Sequence, residues 1–121
     1  MEQFPDFMKN SKNKIKQSSQ YTKDIEGYVF DGADGSQMAF WTGYQDRVSD
    51  EHAHEYDEYM VCVHGQYKVK MDNEVITLNP GDELYIPAGV AHSGESIAGT
   101  RTIHAFGGKR VERENSLKID N

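Results

Sequence analysis

The stretch Glu58-Tyr59-Met60-Val61-Cys62-Val63-His64-Gly65-Gln66-Tyr67-Lys68-Val69-Lys70-Met71 decides the fold class. Tyr67, Val69 and Met71 alternate with Lys68, Lys70 and Asp72. That two-residue period is the mark of a strand with one buried and one wet face. Gly65 can take positive φ and so joins this strand to the one before it, 58–64. Asp72-Asn73 suits a two-residue hairpin turn, with the chain returning over 75–78. Toward the C-terminus, Asn79-Pro80-Gly81 and Pro87-Ala88-Gly89 are turns on either side of a strand at 83–86, and a last strand spans 101–106. Toward the N-terminus, strands are expected at 28–30 and 37–44, with a turn at 31–35, and 48–54 is extended. In 37–44, Met38, Phe40 and Thr42 share one face, while Ala39, Trp41 and Gly43 share the other. Many short strands punctuated by turn residues indicate an all-β sandwich or barrel.

The rest of the chain is polar. Residues 1–26 form a Lys-rich arm with room for one short helix, packed on the domain or on a partner subunit. Residues 27–106 form the barrel, and the tail 107–121 alternates charges without apolar rhythm, so it is expected to be loose or taken up by a partner. A length of 121 residues suits one domain with its own core. Twenty acidic residues against 13 Lys and Arg give a net charge of -7, which excludes the basic stripe of a nucleic-acid binder. Lys9, Lys12, Lys14 and Lys16 are the charges of a solvated arm. The single cysteine, Cys62, can form no intrachain disulfide, and no apolar run has signal-peptide or membrane-span length. The expected setting is cytoplasmic and soluble.

The chemistry lies in His52-Ala53-His54-Glu55-Tyr56-Asp57-Glu58. On extended chain, residues i and i+2 point the same way, so both imidazoles can aim at one point, and a tight connection returns Glu58 to it. Imidazoles and a carboxylate suit Mn, Fe, Co, Ni, Cu or Zn. A third imidazole, His92, follows the rigid Pro87-Ala88-Gly89 turn.

His52, His54, Glu58 and Gly65 fall in the pattern H-x-H-x3-E-x6-G, which resembles the first cupin motif. Gly81, Pro87, Gly89 and His92 resemble the second, G-x5-P-x-G-x2-H, and fifteen residues separate Gly65 from Gly81. The family's glycine six positions before the first histidine is Asp46 here, and an asparagine common four positions after the last is Ser96. The resemblance covers residues 40–106 and implies a double-stranded β-helix barrel holding one divalent metal (Fe, Mn, Ni, Cu or Zn) through His52, His54, Glu58 and His92. It further implies a metal-dependent enzyme acting on a small molecule, either dioxygenase-like or an isomerase or lyase working through an enediolate. The alternative is a metal-containing cupin that binds a small ligand without turnover. One carboxylate on a dication leaves net positive charge, which favours an anionic oxygen donor as ligand. Pairing of barrel edges makes a homodimer the expected assembly.

Alternation puts Met60 and Cys62 in the core and His64 at the rim. In the last strand, Thr102, His104 and Phe106 oppose Arg101, Ile103 and Ala105. If the first set faces inward, His104 is the candidate acid or base, or orients a ligand; if the second does, Arg101 could grip an anion.

Overall fold

The computed structural model describes residues 1–113. Among the described residues, nine strands make two antiparallel sheets: β1 (Ile25–Asp31), β2 (Gln37–Gly43), β3 (Arg47–Val48), β4 (Glu58–His64), β5 (Tyr67–Met71), β6 (Glu74–Leu78), β7 (Glu83–Ile86), β8 (Ser93–Ser96) and β9 (Arg101–Phe106). One sheet has the order β1-β2-β9-β4-β7 and the other β3-β8-β5-β6. The hairpin β5–β6 turns through Asp72 and Asn73, both at positive φ (52° and 61°), as a primed turn requires.

Alternation sorts the side chains. Met60 and Cys62 of β4 meet Val69, Leu78 and Ile86 in one core cluster. Ala39 and Trp41 of β2 pack with Val29 and Phe106 in a second. The opposite face of β1 and β2 presents Tyr28 and Phe40, which the arm covers with Phe4. That ring lies 4.7 Å from Phe40.

The arm holds three single-turn 3-10 helices, Asp6–Met8, Ser11–Asn13 and Gln17–Ser19. Its Lys14 bridges to Tyr28, and Ile15 N–H donates to Gly27 O at 2.8 Å, so the arm shields the β1 edge. Ile15 itself is buried. The tail also returns to the barrel as far as residue 113. Val111 is buried, and its main chain makes two 2.9 Å bonds to the Gln37 side chain. Arg113 ties Asp31, Val29 O and the arm together. The expectation of a loose tail therefore does not hold for 107–113, while 114–121 lie outside the described residues. No helix among the described residues is long and apolar enough to cross a membrane.

Candidate metal centre

Two stretches of irregular backbone, 49–57 and 87–92, run side by side and carry the three imidazoles. His52 and His92 form an isolated antiparallel bridge, each N–H donating to the other's carbonyl at 3.0 and 2.9 Å. Opposed residues in such a pair project side by side, and the two rings stand 4.4 Å apart. His54 points the same way two residues on, and Gly89 N–H donates to its carbonyl at 2.7 Å. The Pro87-Ala88-Gly89 turn is further fixed by Ala88 N–H donating to the Asp57 carboxylate at 2.8 Å. One ligand nitrogen from each of the three histidines lies within 4.8 Å of the others. Glu58, at the start of β4, brings Oε1 to 3.5 Å from both His54 Nε2 and His92 Nε2.

The far nitrogen of every ring is already engaged. His52 Nδ1 meets Asp50 O at 2.8 Å, His92 Nδ1 meets Val90 O at 2.9 Å, and His54 Nδ1 meets the Tyr56 hydroxyl at 3.1 Å. A carbonyl only accepts, so Nδ1 of His52 and His92 carries the proton and the Nε2 lone pair is left to face inward. His54 Nε2, His92 Nε2 and Glu58 Oε1 are buried and lack a hydrogen-bond partner. Orphaned buried polar atoms are costly, and here three converge on one point. The donor set fits a divalent transition ion.

A family profile described as Cupin domain matches residues 43–111, more than half the chain. This chain belongs to the cupin family. Quercetin 2,3-dioxygenase of Bacillus subtilis (strain 168) is 47% identical over 49 residues, which are 40% of this cupin but only 14% of that protein. Among solved structures, KdgF from Halomonas sp. superposes with TM-score 0.63 at 20% identity, over 78% of this chain and 84% of that one. A cupin superfamily protein from Desulfitobacterium hafniense DCB-2 gives 0.64 at 17%, over 69% and 76%. These structural likenesses bear on the fold.

In this cupin Glu58 is tied from a second side. Its Oε2 sits 2.8 Å from His104 Nδ1, and His104 Nε2 sits 2.9 Å from the Thr102 hydroxyl. Thr102, His104 and Phe106 thus face inward, and both nitrogens of His104 are taken. Burial alone would raise the Glu58 carboxyl, but interaction with His104 and then His92 outweighs it and holds the group well below the ordinary carboxylate value. Arg101 points to the outer face. It donates to Met1 O at 2.5 Å, and its guanidinium lies 4.9 Å from the Phe4 ring centroid.

Burial lowers the His54 imidazole to about 4, against a partial offset from Glu58. A depressed imidazole pKa favours the folded state above the ordinary value of 6.5 and forfeits that stability as pH falls toward 4. His92 is raised despite burial, through its contact with Glu58, so its contribution is complete below 6.5 and is lost only at higher pH. The metal-free protein should accordingly melt at progressively lower temperature from about pH 6.5 to about pH 4. His54→Gln should flatten that slope in a thermal scan; an unchanged slope would contradict the assignment.

The donors open into a cavity of about 560 Å³, a figure that includes space continuous with solvent. Its lining includes two residues that the sequence alone does not single out. Tyr21 of the arm stacks on His52 with centroids 3.9 Å apart, and Arg110 of the tail lies 4.5 Å over Tyr21. Neither sits in a periodic apolar pattern, so only long-range contact reveals them. Tyr67 lines the same cavity, and it fits because Gly94, two residues along β8 from the register partner Ser96, has no side chain: an added Cβ there would meet the Tyr67 hydroxyl at 1.9 Å. Gly94→Ala should destabilise the fold by about 1–3 kcal/mol through overpacking, measurable by chemical denaturation.

Proposed function

We propose that this chain is a mononuclear divalent-metal enzyme acting on a small anionic oxygen-donor molecule, with His52, His54, Glu58 and His92 as the ligands. The observation that carries this is the convergence of His54 Nε2, His92 Nε2 and Glu58 Oε1, all buried and unsatisfied, beside His52. A bound ion would supply Lewis acidity and an open coordination face for substrate. The residues do the rest. Asp50 O, Val90 O and Tyr56 keep the imidazoles in register. His104, held by Thr102, orients Glu58 and keeps it ionised, which supports the role of a positioning residue.

Oxygenase chemistry is the first activity to test. Its support is the likeness to Quercetin 2,3-dioxygenase, which covers 40% of this chain and 14% of that protein. Elemental analysis of tag-free protein should find about one transition metal per chain. Absence of bound metal after loading with Mn, Fe, Ni, Cu or Zn would overturn the reading. Dioxygen consumption by the loaded protein with candidate substrates then separates an oxygenase from an isomerase, and lack of any turnover favours a binding role.

We also propose a homodimer. The outer face of the five-stranded sheet carries an apolar row, Phe30–Met38–Ala105–Tyr59–Tyr85, aligned by strand register and exposed at four of its five positions. Light scattering should give twice the 13.7 kDa chain mass, and a monomer mass would contradict this.

A further inference from the structure

Four arginines lie among the described residues, and two of them form ion pairs with carboxylates. Arg47 pairs with Asp24 and Arg113 with Asp31, while Arg101, on the outer face, donates to Met1 O and leaves its buried Nε without a partner. Arg110 differs. It lines the same cavity as the four candidate ligands, with its guanidinium 4.5 Å over the Tyr21 ring and 5.8 Å over Trp41. Among the described residues no carboxylate forms an ion pair with it. Aromatic faces stabilise a guanidinium through its plane and leave the in-plane N–H edge free. Glu58 attracts Arg110 across the cavity without pairing with it, and a half-buried guanidinium whose N–H edge has no paired anion is costly, so this placement calls for a partner from outside.

We propose that Arg110 is the anchor for a carboxylate on the ligand, gripped through the N–H edge while the ligand's other oxygen faces the histidine–Glu58 cluster. The ligand class is a small carboxylic acid with a second oxygen donor, such as a 2-hydroxy or 2-oxo acid. This rests on the metal-site reading for its second contact but not for its first. Planar bidentate recognition favours carboxylate, and the guanidinium is the side chain built for it. Tyr21 bridges the two halves of the site, since its ring contacts both the His52 imidazole and the Arg110 guanidinium.

Trp41 is the sole tryptophan of the chain and sits beside Arg110, so its fluorescence reports on the anchor. The test is a titration of full-length protein, metal-free and zinc-loaded, with lactate, lactamide and inorganic phosphate. Zinc content is measured on the same samples. The expected result is a saturable response to lactate, at least about tenfold weaker for uncharged lactamide and for Arg110→Met, with Arg110→Lys in between. Circular dichroism confirms that the variants are folded, and Lys keeps the charge if Met disturbs packing. Dependence on Arg110 should persist in metal-free protein, whereas zinc should tighten lactate binding only if the cluster holds metal. A lactate response equal in wild type and both variants, no saturable response at all, or an equal response to phosphate would overturn the carboxylate anchor. Failure of zinc to bind, with Arg110-dependent lactate binding intact, would overturn only the metal reading.

Discussion

Replacing His92 with alanine should reduce the bound metal from about one per chain to nearly none, with affinity falling by more than about a hundredfold. Loss of a residue that merely orients a ligand costs about 10- to 100-fold, and removing a donor atom exceeds that. The variant should still fold, because the His52–His92 bridge is made by main-chain atoms that alanine retains. What disappears is the inward Nε2, leaving His52, His54 and Glu58 as donors. Thr102→Val is the graded control. It removes the hydroxyl bonded to His104 Nε2 while keeping the side-chain shape, so it should loosen Glu58 and weaken binding by about tenfold. Competition against a chromophoric chelator measures both. Equal metal affinity in His92→Ala and wild type would remove that histidine from the ligand set.

Gly65→Ala should be the most damaging single methyl group in the barrel, costing about 2–4 kcal/mol. Two effects combine. The residue sits at φ +80°, where a side chain is strained by about 1 kcal/mol. Its Cβ would also lie 2.5 Å from the Thr100 hydroxyl and 2.8 Å from Thr100 Cα, and backbone cannot swing aside. Overpacking of that kind costs about 1–3 kcal/mol. For a domain of this size the melting temperature should fall by about 8–16 °C. Gly81→Ala is the matched comparison: its φ is +94°, yet an added Cβ meets no atom within 4 Å. It should carry the strain alone, about 1 kcal/mol. Denaturant unfolding of the pair would show whether steric contact or φ dominates, and equal losses would refute the steric share.

Both glycines, and the histidines His52, His54 and His92 of the same motifs, are legible because they are local requirements. A turn needs a glycine at a fixed offset, and a donor set needs its residue types at fixed spacing. The strands with strict alternation, Glu58–His64 and Arg101–Phe106, were likewise read to the residue. Ser93–Ser96 was missed, since Ser-Gly-Glu-Ser has no apolar rhythm. It is a strand because β5 and β3 satisfy its main chain on both sides. In 48–54 the expected extension survives as strand only at Val48, and the histidine pair is held by one bridge instead of a ladder. Arg101 and His104 were distinguishable only once the arm was seen to cover one face of β9. Tyr21 and Arg110 are 89 positions apart in a chain whose ends look featureless, and no local period announces that they meet.

The donors come from both layers of the barrel. Glu58 belongs to the five-stranded sheet, whereas His92 immediately precedes a strand of the four-stranded one. An ion held by both would act as a rivet between them, absent from the unfolded chain. Resistance to unfolding would then become a function of free metal concentration, gaining about 2.7 kcal/mol when that concentration is a hundred times the dissociation constant. A melting temperature for this protein would therefore be a reading of the metal supply as much as a constant of the chain.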